Sequence, residues 1–156
     1  MYLQGAGNVG RSIVKALVDA KFNVSVFSRQ DSPANVHESV AVITTDYSPA
    51  SLEKNLKGQD AVVCAIGPGP GVASQMEIID AAVKAGVKRF IPSEFGGNTQ
   101  TETSPDFVRL NGVKVQVIDH LKEVATANPG FSWTGLSTGV LFDLVHGPGQ
   151  SAVSLL

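Results

Sequence analysis

Short β-branched runs alternate along this chain with segments of helical period, almost from the first residue. Met1–Gln4 (MYLQ) is a very short strand-like run ending on a polar residue. Beyond a glycine-rich turn, Val9, Ile13, Ala16, Leu17 and Ala20 recur three or four apart, which predicts an amphipathic helix. Asn23–Ser28 (NVSVFS) alternates with period two, and Val40–Thr44 (VAVIT) is a third strand-like run. Ser51–Leu56 reads as a short helix opened by Ser48 or Pro49. Ala61–Ile66 (AVVCAI) is apolar throughout, the pattern of a strand covered on both faces. Val72–Ala85 has helical period and is stopped by Gly86. Val87–Pro92 (VKRFIP) gives a fifth strand. Gly112–Ala127 gives a helix with Val113, Val117, Leu121 and Val124 on one face, and Phe131–Leu136 (FSWTGL) a sixth strand.

Strands and helices that alternate with short connections predict an α/β fold, a doubly wound parallel sheet of about six strands. The pattern assigns residues 1–145 to this domain and leaves 146–156 as an irregular tail. Ser93–Asn111 reads as a long connection rich in Gly, Thr, Ser and Asn, of the length that often serves as a lid or binding loop. Gly67-Pro68-Gly69-Pro70-Gly71 reads as a turn.

Composition narrows the partners. With 156 residues the chain is long enough for one ordinary core, and 43% hydrophobic against 17% charged residues excludes a disordered chain. Twelve basic and fourteen acidic side chains leave no positive excess for a phosphate backbone, so nucleic acid is not an expected partner. No apolar run approaches membrane-spanning length and the opening residues lack a signal-peptide pattern, so a cytoplasmic, membrane-free protein is expected. Cys64 sits in an apolar run and reads as a small buried hydrophobe. His37, His120 and His146 lack metal-ligand spacing, so no metal is expected.

The candidate chemistry begins at Gly5-Ala6-Gly7-Asn8-Val9-Gly10, which matches G-x-G-x-x-G between a strand and a helix. In that context Gly5 permits the tight turn, Gly7 admits a pyrophosphate against the backbone, and Gly10 lets helix and strand pack closely. The helix N-terminus then offers free N–H groups and partial positive charge to the phosphates. The alternative is a turn that merely connects strand to helix. At the end of the second strand stand Ser28 and Arg29, with Asp31 two residues on. The planar guanidinium of Arg29 fits a 2′-phosphate, favouring NADP(H) over NAD(H), unless it is only a solvated loop arginine.

Gly5–Gly10, Phe27-Ser28-Arg29, Gln75–Ala85, the run Gly86–Gly97 (GVKRFIPSEFGG) and Lys114 together resemble the NmrA-like, isoflavone-reductase-like proteins, atypical relatives of the short-chain dehydrogenases. The resemblance spans Gly5 to about Asp143, and AGVKRFIPSEFG is its most specific stretch. It implies a Rossmann-like NAD(P)-binding domain in which the glycine loop (with Asn8 and Val9) and Arg29 carry NADPH. Ile66, Gly67 and Pro68 would line the cofactor's path. Gln75 corresponds to a glutamine of the following helix, and Ser93-Glu94-Phe95-Gly96 would lie beside the nicotinamide.

Lys114 falls where the reductase branch keeps a catalytic lysine, opening a helix. Read from the residues alone, it is a helix lysine at the edge of an apolar face. The chain departs from the family pattern in having Ile118 where plant reductases carry an arginine one turn after the lysine. It also shows no second basic residue after Arg29, where Asp31 and Glu38 stand instead. Relatives continue into a smaller C-terminal substrate lobe, so a shortened member missing that lobe is expected. The implied activity is NADPH-dependent hydride transfer to a small, aromatic or enone substrate. The alternatives are a redox sensor or transcriptional co-regulator that works through a protein partner without turnover, and an inactive fragment.

Overall fold

The computed structural model describes residues 2–4, 7–28, 36–66 and 72–139. Ten elements follow one another as β1 (Tyr2–Gln4), α1 (Asn8–Asp19), β2 (Ser25–Ser28), β3 (Ala41–Thr44), α2 (Pro49–Leu56), β4 (Ala61–Cys64), α3 (Gln75–Lys84), β5 (Arg89–Ile91), α4 (Pro105–Ala127) and β6 (Ser132–Trp133). The strands form one parallel sheet in the order β3-β2-β1-β4-β5-β6. That is the doubly wound order of a Rossmann fold, as the alternating pattern predicts.

Apolar positions on the two faces of each strand explain the layering. On β4, Val62 and Cys64 belong to one core cluster and Val63 to the other, so a wholly apolar strand serves both faces. Leu52 and Leu56 of α2, Ile78, Ile79, Ala81 and Ala82 of α3, and Val117, Ile118 and Leu121 of α4 build the larger cluster. Val14 of α1 closes the smaller one over Val26 and Val63. Each fully buried Leu or Ile contributes about 1.5–3 kcal/mol of transfer free energy, so α2–α4 anchor one face and α1 the other. Phe131 packs tilted against Phe90, with centroids 6.3 Å apart, and Trp133 is partly buried against the same cluster.

Helix ends follow their local chemistry. The Ser48 hydroxyl caps α2 by accepting from the Ser51 N–H at 3.3 Å, and Pro49 holds the first position. Gly86, with φ 81°, ends α3: its N–H reaches the Val83 carbonyl while Val87 N–H reaches Ala82. These two bonds are a Schellman motif, and the positive φ explains the glycine.

Several boundaries differ from the sequence pattern. β1 is only three residues long, yet it pairs with β2 and β4 on both sides. α3 begins at Gln75 rather than Val72, and β6 shortens to Ser132–Trp133. In α1 the inward residues are Gly10 and Val14, with Ile13, Leu17 and Val18 beside them, whereas Ala16 and Ala20 face solvent. The largest difference is α4, which starts at Pro105, so the supposed connection to Asn111 ends seven residues earlier. Gly112, a poor helix former, disguised the continuity, while Ser104-Pro105-Asp106 supplied the true start. Val113 is 42% exposed and does not share the buried stripe of Val117, Leu121 and the partly buried Val124.

Candidate functional site

In a parallel sheet every loop that follows a strand emerges on the same edge. The strand order reverses between β1 and β4, which makes a crevice at that edge the natural ligand site. On its first side stands the N-terminus of α1. Gly7 occupies the N-cap position without any side-chain cap, and the first turn of the helix carries no acidic residue. The initial N–H groups are therefore left to an incoming anion, and no carboxylate of that turn repels it.

Gly7 has φ −71°, which any residue adopts, and a Cβ there would meet no atom within 4 Å. Neither backbone strain nor packing within the described residues demands a glycine. Open space in front of the backbone is what a pyrophosphate needs, so these residues fit a dinucleotide. Asn8 and Val9 open α1, Gly10 is buried, and Ser28 is buried at the end of β2, one residue past the rung that pairs Phe27 with Gln4. Gly5, Arg29, Asp31, Gly67 and Pro68 lie outside the described residues.

The other side of the edge is built after β4 and β5. Gln75 is only 1% exposed; its side-chain oxygen accepts the Ser93 N–H at 2.8 Å and its amide donates to the Val72 carbonyl at 3.4 Å. The Ser93 hydroxyl donates to the Ile66 carbonyl at 2.8 Å. Gln75 and Ser93 thus tie the ends of β4 and β5 to the start of α3. Their polar groups are engaged inside the protein rather than held out toward a ligand. Phe95 is partly buried against the smaller core cluster.

Lys114 lies in the third turn of α4, not at its opening. Its ammonium donates to the Glu94 carbonyl at 3.1 Å, across 20 residues of sequence. Burial pushes the Lys114 amine below the ordinary lysine value, and the negative charge of Glu94 opposes that shift. Glu94 itself is 3% exposed, and its carboxylate accepts a hydrogen bond from the Thr99 hydroxyl. Two glycines stand beside this contact: a Cβ on Gly96 would come within 3.2 Å of the Glu94 carbonyl oxygen, and one on Gly97 within 2.5 Å of the Phe107 ring. Ile118, one turn beyond the lysine, belongs to the core and offers no charge to the site.

Glu94 was placed beside the nicotinamide only as part of the SEFG run, with no role of its own, and Thr99 was given none; contact with a distant helix is what marks Glu94 out. Elsewhere, Cys64 is fully buried and its thiol is pushed far up by desolvation. His37 bonds to Ser39 at 2.8 Å, and His120 to Asp80 at 2.7 Å; His146 lies outside the described residues. Among the described residues no three His, Cys, Asp or Glu side chains gather so as to hold a metal, and no helix is long and apolar enough to cross a membrane.

The strand order and the uncapped glycine turn define a Rossmann-type dinucleotide-binding domain. A family model described as NAD(P)H-binding matches residues 5–153, and the chain belongs to that family. It is 36% identical over 136 residues to "Oxidoreductase poxI" of Penicillium oxalicum, covering 87% of this chain and 43% of that protein. A solved isoflavone reductase is 28% identical with a TM-score of 0.68, covering 87% of this chain and 48% of the other. The structure titled "AtPrR2 with NADP+ and (+)pinoresinol" shares the fold at 24% identity and a TM-score of 0.74, covering 94% and 51%. The chain spans about half the length of these relatives. Its relatives are thus isoflavone-reductase-like, as the GVKRFIPSEFGG run implies.

Proposed function

We propose that this chain is the cofactor-binding part of an NADPH-dependent reductase that acts on a small, electron-poor substrate, aromatic or enone in character. When bound, the dinucleotide supplies the hydride. The α1 N-terminus and Gly7 receive the pyrophosphate, Arg29 contacts the 2′-phosphate, and Ile66 to Pro68 with Ser93 to Phe95 border the nicotinamide end. Lys114 exchanges the matching proton through Nζ. The observation that carries this reading is the seat of Lys114. A partly buried amine with a lowered pKa, fixed on the Glu94 carbonyl at the strand-end edge, is poised for proton transfer. Names of relatives support the class: "Oxidoreductase poxI", "Phenylcoumaran benzylic ether reductase Pyrc5" of Pyrus communis, and the solved complex with NADP+.

Titration with NADPH and NADH, followed by NADPH consumption over a panel of enones and phenolic ethers, tests the reading. It expects tighter NADPH than NADH binding, lost in Arg29→Asp, and turnover that needs Lys114. Cofactor binding without turnover of any panel member would favour a dinucleotide sensor instead.

A further inference from the structure

Glu94 presents a problem that the proposed chemistry does not use. A carboxylate 3% exposed is costly unless hydrogen-bonded and neutralised. Thr99 gives it one hydroxyl donor, and the cation that acts across the cluster is Lys114. The lysine in turn has one hydrogen-bond partner among the described residues, the peptide oxygen of Glu94 itself. Charged side chains elsewhere on α3 and α4 pair with one another: Arg109 with Asp106, Lys122 with Asp119, and Asp80 with His120. Neighbouring Gly96 leaves room for the arrangement, since a Cβ there would stand 3.2 Å from the Glu94 carbonyl oxygen.

Resting on the reductase reading, we propose that Glu94 is the positioning residue for Lys114: its carbonyl seats the ammonium, and its buried carboxylate, anchored by Thr99, is the counter-charge beside it. Two atoms of one residue thus divide the work. The carbonyl fixes the direction of Nζ at 3.1 Å, which a neutral side chain at position 94 would leave intact. The carboxylate counteracts desolvation, so that the amine holds its proton more firmly than burial alone would allow yet gives it up more readily than a surface lysine. The reactive group is tuned from both sides, by burial downward and by Glu94 upward.

The test needs neither cofactor nor substrate. In protein carrying 13C-labelled lysine, the Lys114 Cε signal is assigned by its loss in Lys114→Met and then titrated with pH. Glu94→Gln preserves the shape and the Thr99 hydrogen bond but removes the charge. It should move the midpoint to lower pH, a loss of about tenfold in proton affinity. Thr99→Val, which releases the carboxylate from its anchor, should move the midpoint the same way by less, and stands in if Glu94→Gln does not fold. An unchanged or higher midpoint in the folded variants overturns the proposal. If the midpoints shift as stated while no panel substrate is turned over, the reductase reading fails and the Glu94–Lys114 coupling stands.

Discussion

The two sides of the strand-end edge are built on opposite economies. At α1 the structure leaves groups open: no side chain caps the helix, and Gly7 faces space where an added Cβ would meet no atom within 4 Å. After β4 and β5 nearly every polar group is already bonded internally. Gln75 holds Ser93, Ser93 holds Ile66, and Thr99 holds Glu94, leaving the Lys114 ammonium as the reactive group. Binding an anion requires unspent donors, whereas placing one proton requires a rigid frame around it.

Substitutions on either side should therefore fail differently, and the largest effect belongs to the rigid side. Lys114→Met should lower kcat by about 10²–10⁴-fold while leaving the NADPH dissociation constant unchanged, read by steady-state kinetics beside a fluorescence titration. For the native chain, proton donation should fade as pH rises through the Lys114 pKa, which lies below the ordinary 10.5. A rate that is flat to the ordinary lysine range would deny the amine that role.

On the open side, Gly7→Ala should weaken NADPH binding about tenfold, near 1.4 kcal/mol, with the melting temperature unmoved. Equal losses of binding and stability would mean that Gly7 serves the fold and not the ligand. Gln75→Leu should do the reverse, costing about 1–3 kcal/mol of stability by stranding the buried Ser93 N–H, measured by denaturant unfolding. The smallest effect sits two residues from the lysine. Gly112→Ala has open space for its Cβ, so it should stabilise α4 by about 0.5–1 kcal/mol without altering Lys114.

The two sides also differed in how far the sequence disclosed them. Gly5–Gly10 and the strand–helix alternation are local patterns, so the turn before α1 and the doubly wound parallel sheet could be read directly. The rigid side depends on contacts between residues 18 and 20 apart, Gln75 to Ser93 and Glu94 to Lys114, which no periodicity encodes. Gly112 interrupted the apparent helix and hid the start of α4 at Pro105, which placed Lys114 at a helix opening instead of its third turn. Val113 was assigned inward from its spacing to Val117 alone, yet it is 42% exposed.

The most direct test of the account is an NADPH titration of three proteins side by side: the native chain, Gly7→Ala and Lys114→Met. The account predicts saturable binding to the native chain, equal binding to Lys114→Met, and binding weakened about tenfold in a fully folded Gly7→Ala. A folded native chain that does not bind NADPH, or a Gly7→Ala that binds it equally well, would contradict the assignment of the α1 edge as the cofactor site.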